Sequence, residues 1–292
     1  MGYLHILNLS AAKGQSILLF KRCYAMEKIH GSSSHIAWNG KELTFFAGGA
    51  NHAHFLSLFN VPDLTEKFTN HFGTMSVTIY GEVYGGSMQK MSATYGKELK
   101  FIGFDVQMNE NTWLNVPNAE QVIVERMGLE FVPYVEISTD LAEIDAARNA
   151  FSVVAVRRGC GDGHKREGIV LRPLREMVES NGDRVICKHK NDEFGETATP
   201  RKVSVDPADQ IKLESAEAVA NEYITAMRLE HVLDKHPECV GMAQTGILVR
   251  AMLEDVIREN TEGFTYSKEL ERAINKHTVV LYKQYLNSLV DD

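Results

Sequence analysis

Cysteine is sparse in this chain of 292 residues: Cys23, Cys160, Cys187 and Cys239 lie far apart, with no C-x-x-C spacing. That argues against a zinc site, and reduced, buried thiols in a cytoplasmic compartment are the simplest account. No apolar run approaches the roughly 18 residues that would cross a bilayer. The stretch from Met1 to Ser10 has neither a basic start nor a small-residue cleavage site, so no secretory leader is expected. Internal repeats and low-complexity tracts are also missing. What remains is ordinary: 44% hydrophobic and 24% charged residues predict a soluble globular chain, long enough for one large domain and a smaller one.

The net charge of −8 at first sight excludes a nucleic-acid partner, but the charge is unevenly spread. Residues 205–292 carry 16 acids against 9 bases, a net of −7, which leaves 23 acids and 22 bases in residues 1–204. A nearly neutral domain can still present a basic groove. Arg157, Arg158, Lys165, Arg166, Arg172 and Arg175, with Lys188, Lys190, Arg201 and Lys202, either build one or are scattered solvated charge.

The first part reads as β-rich with interspersed helices. Tyr24 to Lys28 has the apolar content of a buried strand, and Gly31-Ser-Ser-Ser34 carries turn chemistry. Ser34–Trp38 and Leu43–Ala47 flank Asn39-Gly40, a two-residue hairpin signal. A helix is predicted over Pro62–Phe72, strands over Val77–Tyr84 and Phe101–Met108, and helices over Asn118–Met127, opened by Asn118, and Asp140–Ala150. Gly168–Pro173 and Arg184–His189 read as strands joined through the turn Asn181-Gly182. From Asp206 the texture changes to helical apolar spacing over about 207–235, 240–260 and 267–288. The expected organisation is an α+β domain over 1–204 and an all-α domain over 205–292, with Thr197–Val205 as linker.

Five stretches carry chemistry. Glu27-Lys28-Ile29-His30-Gly31 places one lysine between an acid and a glycine, where the backbone can approach a ligand closely. As a nucleophile at neutral pH, Lys28 must lose its proton, which needs desolvation or a neighbouring cation. Glu82 sits in the aromatic, β-branched strand Ile79-Tyr-Gly-Glu-Val-Tyr84, and Phe104 lies in an apolar strand where it is most simply core. Glu167 enters the apolar run Gly168-Ile-Val-Leu171. Lys188 and Lys190, two apart, share one face of a strand. Each has a plain alternative: a solvated lysine at a strand edge, an edge glutamate facing water, a core phenylalanine.

In this order and spacing the stretches resemble the covalent nucleotidyltransferase superfamily, most specifically the RNA ligase 2 family of ATP-dependent RNA ligases. The resemblance covers roughly residues 20–200 and rests on Glu27-Lys-Ile-His-Gly31, Tyr80-Gly-Glu82, Phe104-Asp105, Glu167-Gly-Ile-Val170, Lys188-His-Lys190 and the following Phe194-x-Glu196. It implies an ATP-grasp-like ligase domain of antiparallel sheets with flanking helices, followed by a small helical domain. It also implies the chemistry: Lys28 attacks the ATP α-phosphate to form lysyl-AMP, AMP passes to the 5′-phosphate of an RNA end, and a 3′-hydroxyl seals it, in RNA repair. Lys188 and Lys190 would contact the α-phosphate and help strip the proton from Lys28. Glu82 and Glu167 would hold the ribose and Mg²⁺ or Mn²⁺. Phe104 would stack on adenine, Glu27 would help bind the nucleoside, and Ile29, His30 and Gly31 would shape the turn by the phosphates. The partners implied are RNA ends in a nicked duplex or hybrid, with no membrane and with monomer and dimer both open.

The chain departs from the family pattern where relatives carry a phosphate-contacting arginine. Phe45-Phe-Ala-Gly-Gly-Ala-Asn-His-Ala-His54 contains none, leaving the amides of Gly48 and Gly49, or His52, for that contact. Ser33 stands where relatives commonly have asparagine. Two rivals use the same observations: an mRNA-capping guanylyltransferase, which needs a β-rich oligonucleotide-binding-type domain after Lys190, and a catalytically silent protein that binds nucleic-acid ends.

Overall fold

The computed structural model describes residues 2–179, 182–195, 216–259, 266 and 268–288. The expected linker Thr197–Val205, the boundary at 204/205, Asn181 and Glu196 lie outside the described residues. The chain divides into two compact units, Met1–Asn8 with Gly14–Asn191, and Leu9–Lys13 with Asp192–Asp292.

The first unit is built on two five-stranded sheets. One has the order β1 (Leu7–Asn8), β10 (Cys187–Lys190), β9 (Gly168–Pro173), β2 (Arg22–Lys28), β8 (Tyr134–Ser138). Its neighbours are antiparallel except for the short β1–β10 pair. The other is wholly antiparallel: β4 (Leu43–Phe46), β3 (Ser32–Trp38), β5 (Val77–Tyr84), β6 (Lys100–Met108), β7 (Thr112–Trp113). The chain crosses from the first sheet to the second through Ile29-His30-Gly31, so β2 and β3, adjacent in sequence, belong to different sheets. The expected turn at Ser32–Ser34 is therefore the start of β3. Gly31 is required by crowding rather than by an unusual φ. A Cβ there would lie 2.3 Å from the Val83 carbonyl oxygen and 2.9 Å from Glu82 Cγ.

The second sheet packs one face on helices. Ile36, Trp38, Val77, Ile79 and Val106 meet Leu64, Phe68 and Phe72, spaced by one turn along α2 (Val61–Phe72), and Val116 and Ala119 of α4 (Val116–Glu120). The buried Trp38 indole donates to the Gly73 carbonyl at 2.8 Å, which satisfies its one polar group. At the hairpin, Asn39 Oδ1 accepts from the amides of Lys41 and Glu42 and Gly40 takes φ +89°, but β3 ends at Trp38 and β4 resumes at Leu43, so the loop spans four residues where a two-residue Asn39-Gly40 turn is expected. Val77–Tyr84 and Gly168–Pro173 are strands as expected. The helix expected from Asn118 instead starts at Val116, capped by Asn115, whose side chain accepts from the Asn118 amide, with Pro117 in the first turn. It runs on into a π-helical segment, Gln121–Arg126. The strand expected over Arg184–His189 begins only at Cys187.

The remaining helices of this unit include α1 (His52–Leu56), α3 (Ser92–Tyr95), α5 (Leu141–Asn149, where Asp140–Ala150 is expected) and α6 (Val153–Arg157). The second unit contains α7 (Ala216–Tyr223), α8 (Ala226–Lys235), α9 (Thr245–Glu259) and α10 (Lys268–Ser288) around Tyr223, Leu229, Leu248, Met252, Ile274 and Tyr282. The buried Arg228 donates to the Tyr223 carbonyl at 2.9 Å and pairs with Asp255. Among the described residues from Ala216 onward no strand occurs, so the β-rich domain that a capping enzyme needs is not among them.

Candidate active site

Cross-strand register assembles the site. Lys28 pairs with Gly168 and Gly168 with Lys190, so the two lysines flank β9 at the level where Glu167 enters it. Gly168 is the residue that permits this: at φ +155°, a Cβ would meet the His189 carbonyl oxygen at 2.3 Å. The Asn191 amide donates to the Glu167 carbonyl at 2.7 Å and closes the ladder.

Glu167, 1% exposed, is the hub. Lys28 Nζ donates to its Oε2 at 2.8 Å, His30 Nδ1 lies 3.3 Å from the same oxygen, and Lys190 Nζ stands 3.3 Å from Oε1. Burial alone would raise the Glu167 carboxyl, but the charges of Lys28, Lys190 and His30 outweigh it and hold the group well below the usual carboxylate range. Glu82 comes from the other sheet, where it pairs with Ser33. Desolvation pushes it up to about 8; Lys28, the Gly31 amide that donates to it and Lys190 pull it down, and the Glu167 charge adds to the rise. Two carboxyls in one site are thus held in opposite protonation states at neutral pH.

The other expected site residues divide. Lys188, 8% exposed, lies on the Lys190 face of β10 by strand alternation. His30 and Gly31 form the crossing, braced by the Tyr95 hydroxyl, which accepts from the His30 amide at 3.4 Å, and by Gln89 Nε2, which donates to the Gly31 carbonyl at 3.3 Å. Ile29 is buried core beside them. Glu27, next to Lys28 on the strand, points to the opposite face. Ser152 Oγ donates to its Oε1 at 2.5 Å and the Val153 amide to its Oε2 at 2.9 Å, so both oxygens tether the start of α6. Its carboxyl is raised by burial against these hydrogen bonds. Phe104 is the extra residue of a β-bulge, for Tyr80 pairs with Asp105 and Gly81 with Gly103. Such a residue is re-aimed out of the regular pleat. It meets the Tyr3 ring edge-on at 4.9 Å.

Other sequence expectations meet occupied groups. The Gly49 amide donates to Ser32 Oγ at 2.7 Å, and His52 Nε2 contacts the Phe45 carbonyl at 3.3 Å. Of the cationic cluster, Arg157 and Arg158 donate to the Phe131 and Tyr95 carbonyls, Arg166 to that of Phe151, and Arg172, 1% exposed, is buried. These side chains brace the fold rather than line a groove, and Arg201 and Lys202 lie outside the described residues. Gln89, Tyr95 and Ser152 support the site without any sequence signal; only the structure shows that Gln89 and Lys90 take positive φ (51° and 55°) without being glycine.

The RNA ligase family model matches residues 21–190, more than half of the chain. The chain belongs to the RNA ligase family. Three solved structures of a Naegleria gruberi RNA ligase show similarity to this family member. A glutamate-to-alanine variant with ATP and Mn has a TM-score of 0.51 at 15% identity. A lysine-to-alanine variant with ATP and Mn scores 0.50 at 15%. A second glutamate-to-alanine variant with AMP and Mn scores 0.50 at 13%. In each, the match covers 66% of this chain and 57% of the other, and at these identities it speaks for the fold alone. No curated protein matches. The mixed α+β class with two largely antiparallel sheets and flanking helices is the one expected from the sequence.

Proposed function

We propose that this RNA ligase family member is an ATP-dependent enzyme that adenylylates itself on Lys28, transfers AMP to the 5′-phosphate of an RNA end and seals that end to a 3′-hydroxyl. The observation that carries the reading is the ion-paired cluster at the crossing between the sheets, with Lys28 Nζ 2.8 Å from Glu167 and Lys190 on the other carboxylate oxygen. In the first step the Lys28 amine attacks the α-phosphorus, a P–N bond forms, the bond to pyrophosphate breaks, and the nitrogen gives up one proton. In the second, a 5′-phosphate oxygen displaces the lysine, and in the third a 3′-hydroxyl displaces AMP. Each is an in-line displacement, so the protein's task is to position groups and neutralise charge.

An ammonium has no lone pair to attack with, and Lys28 Nζ is held 2.8 Å from the Glu167 carboxylate. Drawing Glu167 away from Lys28 is therefore part of activation, and Lys188 and Lys190 receive the phosphate charge. The residues fit a hard divalent cation. Among the described residues Glu167 Oε1 is buried and meets Lys190 Nζ at 3.3 Å without a hydrogen bond, and no group of three or more His, Cys, Asp or Glu forms a cage. One or two carboxylates with water and substrate phosphates are what Mg²⁺ or Mn²⁺ needs. Glu82 and Glu167 would hold it, and when bound it would neutralise phosphate charge. Phe104 is assigned to the adenine, His30 and Gly31 to the phosphate side, and Glu27 to holding α6 beside the nucleoside. Residues 1–204 are assigned the nucleotidyl chemistry and 205–292 the engagement of nicked duplex or hybrid RNA, in repair within the cytoplasm. No helix among the described residues is long and apolar enough to cross a membrane.

Intact mass after incubation with Mg²⁺ and ATP or GTP tests the reading: one added AMP with ATP, nothing with GTP, and no addition in Lys28→Ala. Labelling that survives this substitution would end it.

A further inference from the structure

The face of the second sheet that carries Glu82 also carries a row of rings that nucleotidyl transfer to Lys28 does not use. His35 pairs with Phe46 on one side and Tyr80 on the other, so the three stand side by side across β4, β3 and β5. The Phe46 and His35 rings are stacked, with centroids 5.1 Å apart and planes at 20°. Tyr80 backs His35 at 5.5 Å, and Trp113 continues the row 5.5 Å beyond. Phe46 is 41% exposed at the end of the row, whereas His35 is 8% exposed. Such a ring held rigidly from behind is a pre-ordered stacking surface.

Two further observations point to a ligand. His35 Nδ1 is buried without a hydrogen-bond partner among the described residues, a costly condition in a finished core. Burial also lowers the His35 imidazole, which keeps the ring neutral near pH 7 and stacks it as an aromatic. The second observation is position. Ser33 and Glu82 form the next same-face pair along β3 and β5, about 7 Å from His35 and Tyr80 at the rise of a strand. Phe46 is three strands away from Phe104, roughly 14 Å at the usual strand spacing, so the exposed end of the row is distinct from the ring assigned to adenine, while the far end meets it through Tyr3, which touches both Tyr80 and Phe104.

We propose that Phe46, stacked on His35, is the platform for a base of the RNA end, seating the nucleotide next to the joining phosphate beside Glu82, with His35 Nδ1 completed by a polar group of that nucleotide. The proposal rests on the ligase reading and extends it from the nucleotide to the RNA. It also supplies a substrate contact in the segment that lacks the family's arginine, by stacking rather than by charge.

The test uses the full chain and a nicked RNA duplex with 2-aminopurine at the 5′-phosphate terminal nucleotide or at the 3′-hydroxyl terminal one, without ATP. Stacking quenches the fluorophore. Quenching at one of the two positions is expected, together with its loss and roughly tenfold weaker binding in Phe46→Ala. Phe46→Tyr should restore the quench, and lysyl-AMP formation should be unchanged in both variants. Quenching at neither position, or an undiminished quench in Phe46→Ala, would overturn the proposal. Wild-type protein that takes no AMP would instead overturn the ligase reading, independently of the fluorescence.

Discussion

Two buried charge clusters in the same unit are built from similar residues and differ in completeness. Around Asp105, the Tyr3 hydroxyl and Arg184 Nη1 reach Oδ2 at 2.6 and 2.7 Å, and Arg172 Nη1 and the Val106 amide reach Oδ1 at 3.0 and 2.9 Å. Glu176 joins both arginines at 2.8 and 2.7 Å, and Arg184 lies 4.0 Å over the Trp113 ring. Two acids face two arginines, and in this network only Arg172 Nε is left unpartnered among the described residues. Around Glu167, by contrast, Lys28 and Lys190 face one ionised carboxylate, Glu82 keeps its proton, and Lys28 is 23% exposed. A balanced, dry network holds elements together. One with surplus positive charge and solvent access is suited to an anion.

The comparison breaks most sharply at Lys28. Lys28→Ala should abolish self-adenylylation entirely and leave the circular dichroism spectrum unchanged; a collapsed fold would place the Glu167 cluster in the same structural class as Asp105. Glu167→Ala and Glu82→Ala should each cut the rate of lysyl-AMP formation by orders of magnitude, read by single-turnover transfer from labelled ATP. Near-normal rates with only a lowered melting temperature would return both to a structural role.

Asp105→Ala should do the reverse. It leaves two arginines buried without their shared acid and should cost roughly 3–5 kcal/mol in urea unfolding. A loss under about 1 kcal/mol would show that the network is not the structural clamp its geometry describes.

A subtler distinction lies in pH. Glu82 titrates near 8 in the folded, metal-free protein against 4.5 for the free group, so the folded state holds this proton more tightly. Its stabilising contribution is full below about pH 4.5 and is lost as pH rises towards 8. Urea unfolding with chelator present should therefore show wild type losing stability relative to Glu82→Gln across that window; parallel profiles would refute it. The smallest effect concerns thiols. Burial pushes Cys23 up to about 12 and raises Cys187 as well, so iodoacetamide at pH 8 should spare both and modify Cys160, which is only partly buried.

Much of this was legible in the chain itself. The strand holding Glu82, the strand that follows Glu167, the hairpin at Asn39-Gly40 and the placing of Lys188 and Lys190 on one face follow from periodicity and turn chemistry, which act over a few residues. The order of the five motifs was enough to indicate the family. Tertiary structure alone decided that Gly31 ends a crossing between sheets rather than a turn, because the crowding is against β5, some 50 positions on. It alone bound Glu27 to Ser152 and committed Arg172 and Arg184 to Asp105, since a charge's partner depends on which strands lie side by side. Local pattern determines what a residue can do. Whether Glu82 keeps its proton and Glu167 loses it depends on desolvation and on charges brought together from β2, β9 and β10, and only the fold supplies those.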